Sequence, residues 1–366
     1  MLLLSNDLGV DLGNSNVLIY ADGKGLVVRE PSVVAVDKNT GKILQVRAAA
    51  RNMLGRTPGN VVAMKPLRDG IISDHEMTVR MLSAMFRSAT KAGVFTPKPR
   101  VVISVPSGVT EVEERSVINA AIEAGARRVF LIEEPLAAAL GAGLDIKGAK
   151  GHMVVDIGGG TTDIAVLSMN GVAVSSSLKV AGDAFDEAIT RYVRRQHGLV
   201  IGQVTAETIK IELGQVYPRN EERSMNVKGR DAKTGMPKVV TLMSSEIYEV
   251  LRRPARQIAD EVLSVLEETS PELVSDISEN GITLTGGSSQ LWGMDRLLTA
   301  RTGVACALAD DPDSCVAYGC GKSLAWINHM QEGPINIARK RMMRRRAMLM
   351  GPSCIWLTQP RLLPQP

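Results

Sequence analysis

The sequence has few aromatic residues, few cysteines and no long apolar run. Aromatic residues make up only 3% of its 366 residues, too few for the stacking platforms that bind single-stranded nucleic acids. The four cysteines have no CxxC pair and no histidine cluster beside them, which argues against a zinc site or a disulfide framework. No stretch approaches the roughly 18 apolar residues of a membrane-spanning helix, and the apolar start at residues 1–4 is too short for a signal peptide. We therefore expect a cytoplasmic protein.

The composition is otherwise that of a globular protein, with 45% hydrophobic and 22% charged residues, and the length suits two domains. The net charge is +4, but residues 339–366 contain seven basic and no acidic residues. Subtracting these seven charges leaves −3 on residues 1–338, which does not fit a nucleic-acid-binding domain. We expect no nucleic-acid partner. We expect the basic tail to be a solvated, disordered end, with contact to anionic lipid or an acidic partner as the alternative.

The same pattern of apolar segments and a glycine turn occurs twice in the sequence. Apolar segments on either side of a glycine turn start at residue 8, and the same pattern starts again at residue 152. Between the two copies, strand-like and helix-like segments alternate, and a polar link at 147–151 marks a boundary. The sequence therefore predicts an α/β protein of two lobes, residues 1–150 and 151–338.

Two helix starts carry the pattern of a capping box. Ser73 is followed three residues later by Glu76, and Thr110 is followed by Glu113. In this motif the hydroxyl accepts a hydrogen bond from the third helical N–H, and the glutamate accepts one from the backbone of the capping residue. We therefore expect a helix to begin after each of these residues.

The repeated opening places an aspartate and a glycine at the end of an apolar strand in each copy. These aspartates, Asp11 and Asp156, are 145 residues apart. Glycine lets backbone N–H groups approach phosphate oxygens, and an aspartate at a strand end can hold the water shell of Mg²⁺. A single motif of this kind usually satisfies only its own backbone, but the pair predicts a clamp for a triphosphate. The turns consist of Gly13, Asn14, Ser15 and Asn16 in the first copy, and of Gly158, Gly159, Gly160, Thr161 and Thr162 in the second.

Two further features leave alternatives open. A third glycine turn lies between a strand and a helix, where N–H groups at the helix start could meet an anion or a nucleotide; a plain connection is equally compatible. Glu207 and Lys210, three residues apart on a predicted helix, can pair with each other or hold ribose and adenine. From the residues alone we favour the salt bridge. The third turn consists of Gly286, Gly287, Ser288 and Ser289.

An acidic residue stands where a predicted strand ends and a helix begins. Glu134 precedes Pro135, a residue typical of the first helical turn. The simplest interpretation is that the acid interacts favourably with the helix dipole. The alternative is that Glu134 orients or deprotonates a water for attack on a γ-phosphate, a reaction governed mainly by positioning. Asp163, after the second glycine turn, is expected to assist from the opposite hairpin.

Longer segments from about residue 8 to residue 328 carry a likeness to a known family. They include GVDLGNSN at 9–16, FLIEEPLAAALGAGL at 130–144, MVVDIGGGTTDIAV at 153–166, TAETIKIELG at 205–214 and ITLTGG at 282–287. In these segments the sequence resembles the bacterial actin MreB and its close paralogues such as Mbl, within the actin-like ATPase superfamily.

The resemblance implies a duplicated ribonuclease H-like, or actin-like, α/β fold whose two lobes surround a nucleotide cleft. It implies a small β subdomain at about 23–70 in the first lobe and a second small subdomain at about 186–243. It also implies that a last helix, 313–328, packs back on the first lobe. The tail 339–366 has no counterpart, because family members mostly end near residue 335.

Carried onto this chain, the resemblance implies that ATP and Mg²⁺ lie between the lobes. Asp11 and Asp156 would be near Mg²⁺, through water, and the first two glycine turns would hold the phosphates. Glu207 and Lys210 would lie beside the nucleoside, the third glycine turn would form the wall behind the adenosine, and Glu134 would position the hydrolytic water.

Two residues in these motifs depart from the family pattern. Asn14 stands where the family has threonine, and its amide is still able to donate to a phosphate. Ser288 stands where the family has the third glycine of the turn, and its Cβ would be strained at a positive φ. The expected consequence is a changed nucleotide affinity for Asn14 and a strained turn for Ser288.

The resemblance implies a filament-forming bacterial cytoskeletal protein that determines rod shape by organising cell-wall synthesis, with slow ATP hydrolysis coupled to polymerisation. The implied partners are other copies of the chain, the inner face of the cell membrane and proteins of the cell-wall elongation machinery. The implied location is cytoplasmic and peripherally membrane-associated, with residues 1–4 or Val94 and Phe95 as candidate lipid contacts. The alternatives are a small-molecule kinase, which needs a second substrate pocket, and a chaperone-type ATPase, which needs a substrate-binding region after the lobes.

Overall fold

The structure, a computed structural model, describes residues 7–90 and 97–329. The first lobe contains, in chain order, β1 (Leu8–Leu12), β2 (Asn16–Ala21), β3 (Gly25–Pro31), β4 (Val34–Asp37), β5 (Ile43–Val46), α1 (Arg47–Arg51), β6 (Val61–Met64), β7 (Leu67–Arg68), β8 (Ile71–Ile72), α2 (His75–Thr90), β9 (Arg100–Val105), α3 (Glu111–Glu123), β10 (Arg128–Glu133) and α4 (Glu134–Gly141).

The second lobe follows with β11 (His152–Ile157), β12 (Thr162–Ser168), β13 (Gly171–Leu178), α5 (Gly182–His197), β14 (Leu199–Val200), α6 (Gln203–Leu213), β15 (Ser224–Asp231), β16 (Pro237–Met243), α7 (Ser244–Glu268), α8 (Pro271–Asn280), β17 (Ile282–Thr285), α9 (Met294–Thr302), β18 (Cys306–Leu308) and α10 (Cys315–Ser323).

The two central sheets have the same topology. The first has the strand order β10-β9-β1-β2-β3, and the second has the order β13-β12-β11-β17-β18. In each, three consecutive strands form an antiparallel meander, and two later strands join parallel to the first strand of that meander. The repeated opening of the sequence therefore corresponds to a repeated sheet.

Helices α4 and α10 pack between the sheets and join the lobes. One buried apolar cluster contains Phe130 of the first sheet, Leu167 of the second and Val316 of α10. The two helices approach so closely that a Cβ at Gly319 would lie 1.8 Å from the carbonyl oxygen of Ala137. A side chain there would force the helices apart, so glycine is what permits the contact. Apolar packing therefore holds the lobes together on this side.

Each lobe also carries a smaller three-stranded sheet. In the first lobe its order is β5-β4-β6, with α1 beside it, and in the second its order is β14-β15-β16, with α6 beside it. The second sheet contributes Val227 and Leu242 to the main core of its lobe. Of these additions, α6 lines the cleft described below.

The structure confirms one predicted capping box and corrects the other. The Thr110 hydroxyl accepts a hydrogen bond from the Glu113 N–H at 3.3 Å, and the Glu113 carboxylate accepts one from the Thr110 N–H at 2.7 Å. The box at Ser73 is wrong: α2 begins at His75, and Asp74 accepts from the Met77 N–H at 3.0 Å. A carboxylate one residue later takes the position for which the serine was proposed.

The predicted last helix, 313–328, is shorter than expected. Its α-helical part is α10 alone, with 3₁₀ turns at Pro312–Ser314 and Leu324–Trp326 on either side. Helix α10 packs on α4 and β1 of the first lobe.

No helix in the described part of the chain is both long enough and apolar enough to cross a membrane. Residues 1–4, the pair Val94 and Phe95, and the tail 339–366 lie outside the described residues.

Candidate functional site

A cavity of about 620 Å³ lies between the lobes. Strand ends, glycine turns and the helix α6 form its walls. The structure brings most of the predicted site residues together here: the cavity is lined by Asp11, Gly13, Asn14, Ser15, Asn16, Glu134, Asp156, Gly158, Gly159, Gly160, Thr161, Glu207, Lys210, Gly286, Gly287 and Ser288.

Three predicted residues lie behind this lining instead of in it. The Thr162 hydroxyl donates to the Val180 carbonyl at 2.8 Å, and the Ser289 hydroxyl donates to the Gly286 carbonyl at 2.6 Å. Both side chains therefore shape the turns from behind. Asp163 is also fully buried, next to Glu134.

The first two glycine turns face each other across the cavity. A Cβ at Gly160 would lie 1.9 Å from the Asn14 side-chain nitrogen, and a Cβ at Gly159 would lie 2.3 Å from the Ser15 hydroxyl. A larger residue at either position would displace the Asn14 or Ser15 side chain that faces it. The Asn14 amide oxygen also accepts a hydrogen bond from the Gly70 N–H at 3.0 Å. The turn between β7 and β8 is thereby drawn into the cleft.

The surroundings of two strand-end carboxyls, Asp11 and Asp156, disfavour their ionised forms. Burial and the neighbouring Asp156 charge raise the pKa of Asp11 to about 8, and burial with repulsion from Asp163 raises the pKa of Asp156 to about 7. The Thr285 hydroxyl donates to Asp156 at 2.6 Å and partly offsets this effect. A divalent cation would stabilise both ionised carboxylates, and hard oxygen donors of this kind fit Mg²⁺, which retains much of its water shell.

Glu134 and Asp163 form a buried carboxyl pair at the inner end of the cleft. Glu134 is the first residue of α4, and Asp163 comes from β12 of the other lobe. The Ser107 N–H donates to Asp163 at 2.8 Å. Burial and the Asp163 charge raise the pKa of Glu134 well above its usual range, and burial raises the pKa of Asp163 to about 6. The hydrogen bond between the two carboxyls raises the pKa of Glu134 and lowers that of Asp163, so it favours a protonated Glu134 beside an ionised Asp163.

The favoured salt bridge between Glu207 and Lys210 is wrong, because each residue has a different partner. Glu207 accepts from Arg51 of the first lobe at 2.7 Å. Lys210 pairs with Asp186 at 3.0 Å and donates to the Gly182 carbonyl at 3.1 Å. Both side chains remain at the cavity wall, where their polar groups can face a ligand.

Ser288 is not strained, contrary to the concern raised by the sequence. Its backbone is outside the positive-φ region, and its hydroxyl donates to the Gly158 carbonyl at 2.7 Å. The third glycine turn is thus tied directly to the second.

Sequence reasoning missed several residues of this site. Arg51, Lys65, Asp183 and Asp186 form ion pairs around the cleft, and Trp292 lines its outer end with the Arg219 guanidinium 5.1 Å from the ring centre. Their partners are distant in the sequence or on another element, so no local spacing identified them.

Comparison with known proteins agrees with this geometry. A family model described as MreB/Mbl protein matches residues 5–332. The cell shape-determining protein MreB of Escherichia coli K12 is 49% identical over 330 residues, which cover 89% of this chain and 95% of that protein. The cell shape-determining protein Mbl of Bacillus subtilis is 47% identical over 322 residues, covering 88% and 96%.

Solved structures give the same result. The crystal structure of MreB5 of Spiroplasma citri bound to AMPPNP matches with a TM-score of 0.83 and 39% identity, covering 88% of this chain and 96% of that one. A MamK double helical filament matches with a TM-score of 0.74 at 22% identity, which supports the fold alone. The predicted actin-like α/β fold and family resemblance are confirmed: the chain belongs to the MreB/Mbl family.

Proposed function

We propose that this chain is an ATP-binding, filament-forming protein that determines cell shape in a bacterium. The observation that carries the proposal is the interlobe cleft, in which paired glycine turns and the strand-end carboxyls Asp11 and Asp156 meet. The names of the relatives, cell shape-determining proteins MreB and Mbl, support the same function. They do not support a small-molecule kinase or a chaperone.

The proposed ligand is ATP with Mg²⁺. A relative with 39% identity was solved with AMPPNP, and another structure of it was solved with ADP. In this chain the backbone N–H groups of the first two glycine turns would hold the phosphates. Glu207, Lys210 and the third glycine turn would surround the nucleoside. Asp11 and Asp156 would hold the cation through its water shell. The cation, when bound, would neutralise phosphate charge and ease attack on the γ-phosphoryl group.

The proposed chemistry is slow ATP hydrolysis coupled to polymerisation. Glu134 at the start of α4 would orient the attacking water and accept its proton once the carboxyl is ionised. Asp163, anchored by the Ser107 N–H, would keep the Glu134 side chain in place. Because hydrolysis of this kind depends mainly on positioning, both roles require the lobes to be closed.

The proposed partners are other copies of this chain, the inner face of the cell membrane and the proteins of the cell-wall elongation machinery. The proposed location is therefore cytoplasmic and peripherally membrane-associated. Filament growth requires two complementary surfaces that repeat without closing.

High-speed sedimentation with Mg-ATP, with Mg-ADP and without nucleotide tests the proposal, with the pellets viewed by negative-stain microscopy. Ordered filaments that appear with ATP are expected. Anionic vesicles added in parallel test the membrane contact, which should carry the protein to the lipid fraction. A protein that hydrolyses ATP but stays dispersed in every condition would refute the cytoskeletal function.

A further inference from the structure

Two ion pairs cross the cleft between the small sheets. The Arg51 guanidinium donates to the Glu207 carboxylate at 2.7 Å, and the Lys65 ammonium donates to the Asp183 carboxylate at 2.8 Å. Both cations belong to the first lobe, at the end of α1 and just after β6. Both acids belong to the second lobe, on α6 and in the first turn of α5. We call these four residues the cross-cleft latch.

One acid of the latch lines the nucleotide cleft, and the other is hydrogen-bonded to a residue of that lining. Glu207 lines the cavity. The Asp183 backbone N–H donates to the Gly159 carbonyl at 2.7 Å, so its position is tied to the second glycine turn. A force on either acid therefore acts on a wall of the ligand site.

The first pair also separates two cavities. Arg51 lines a second cavity of about 280 Å³, together with Leu54 and Arg56 of the first lobe and Val204 of α6. Glu207, its partner, lines the nucleotide cleft. The contact between these two side chains therefore forms part of the partition between the cleft and the space beyond it.

The two sides of the cleft are held by different forces. At α4 and α10 a buried apolar cluster includes residues of both lobes. Within residues 7–90 and 97–329, no buried apolar cluster joins the two small sheets. Opening at the small sheets therefore costs mainly the two ion pairs, whereas opening at α4 and α10 would expose a hydrophobic core.

A third contact between the lobes lies elsewhere. Arg29 of β3 pairs with Asp313 at 2.7 Å and with Asp311 at 3.3 Å. These aspartates immediately precede α10, which packs on β1 of the first lobe. This contact is therefore next to the apolar joint and does not span the side held by the latch.

We propose that Arg51 and Lys65 are positioning residues that retain the nucleotide, because they hold Glu207 and Asp183 against the closed cleft and must release them before the nucleotide leaves. This inference rests on the proposed function, since it takes the nucleotide to bind between the lobes. The latch side chains are between 20% and 40% exposed, so salt screens both pairs and water competes for them. Loss of one pair should therefore accelerate nucleotide release about two- to fivefold.

Release of a fluorescent ATP analogue measures the latch directly. The analogue is bound with Mg²⁺ and chased with excess ATP in a stopped-flow instrument. Arg51→Ala and Lys65→Glu should each raise the dissociation rate. The double exchange of Lys65→Glu with Asp183→Lys restores the pair with reversed polarity and should bring the rate back towards the wild-type value. Arg191→Ala, which removes an exposed pair with Glu187 on the outside of α5, should leave it unchanged.

The salt dependence of the wild-type protein provides a test that needs no variant. Raising the salt from about 0.1 M to about 1 M shortens the Debye length from about 10 Å to about 3 Å. Release should accelerate in the wild type and less so in a variant that lacks both cations, Arg51→Ala with Lys65→Ala. A purely structural contribution of these residues would not produce this difference.

The outcomes separate the latch from the proposed function. If the wild type binds no nucleotide, both fail. If it binds nucleotide but the folded variants release it at the wild-type rate, or the exchanged pair restores nothing, the latch is wrong and the nucleotide site stands. If a variant does not fold, a wild-type release rate that is independent of salt still overturns the latch.

Discussion

Replacing Asp156 with asparagine should stabilise the nucleotide-free protein while weakening its binding of Mg-ATP. Asp156 is 5% exposed, and its pKa is raised from 3.8 to about 7. The folded state therefore holds a proton on this carboxyl between these two pH values where the unfolded state does not. By linkage, the contribution of this carboxyl to stability is greatest below pH 3.8 and is lost as the pH rises to about 7. Asparagine carries no charge at any of these pH values, so the Asp156→Asn variant does not lose this stability as the pH rises.

The pKa shift of Asp156 sets the size of the expected gain in stability. Each pKa unit corresponds to 1.36 kcal/mol, so a shift from 3.8 to about 7 has a ceiling of about 4 kcal/mol at neutral pH. Neighbouring carboxyls and cleft water relax around the charge, so about half of this, roughly 2 kcal/mol, is expected. The Thr285 hydroxyl, which donates to Asp156 at 2.6 Å, can donate equally to the carbonyl oxygen of an asparagine.

Urea unfolding without nucleotide is the assay, at pH 5 and at pH 7. The free energy of unfolding of Asp156→Asn should exceed that of the wild type, with a larger gain at pH 7 than at pH 5. Titration with a fluorescent ATP analogue should show weaker binding in the presence of Mg²⁺, and a smaller difference without it. Asp145→Asn, at a residue outside the cleft lining, is the control. A variant that is less stable than the wild type at both pH values would refute the prediction that the ionised Asp156 carboxylate destabilises the nucleotide-free protein.

Three further predictions concern individual side chains. Glu134→Ala should leave ATP binding intact and slow phosphate release about 10²-fold or more. Wild-type turnover should rise with pH, because the pKa of Glu134 is raised well above its usual range. Unchanged turnover of the variant in a phosphate-release assay would exclude the catalytic role. Ser288→Gly removes the hydroxyl that donates to the second glycine turn, so ATP affinity should fall about two- to tenfold, and an unaltered Kd by titration contradicts this. Asp186→Asn removes the partner of Lys210 and should weaken ATP binding about tenfold, whereas the exposed neighbour Glu187→Gln should have no effect in the same titration.

Local sequence signals predicted the parts of the fold that depend on neighbouring residues. The two strand, turn and strand openings were correctly placed, because their alternation of apolar segments and glycine turns is a short-range property. The box at Thr110 and Glu113 was also correct. The start of α2 was misplaced because Ser73 and Asp74 are both good N-cap residues, and the choice between them depends on the path of the chain entering the helix.

The residues of the candidate site also differ in whether the neighbouring sequence identifies them. Asp11 and Asp156 could be proposed from the repeated motif alone, because an aspartate and a glycine turn at a strand end are suited to bind Mg²⁺ and phosphate. The partner of Glu207 could not: Arg51 lies 156 residues away, and the spacing within α6 favoured Lys210 instead. The structure shows that Lys210 faces Asp186, which the helix pattern does not reveal.

The sequence by itself determined the two repeated strand, turn and strand openings, their glycine turns and the strand-end carboxyls, because strand pattern, turn chemistry and the position of an acid at a strand end are set by adjacent residues. The tertiary structure alone decided which lobe supplies each partner across the cleft. Contacts such as Lys65 with Asp183 and Glu134 with Asp163 join segments of different lobes, which are adjacent only in the folded two-lobe structure. The pKa shifts have the same origin, because burial and charge repulsion arise only when these carboxyls are brought together.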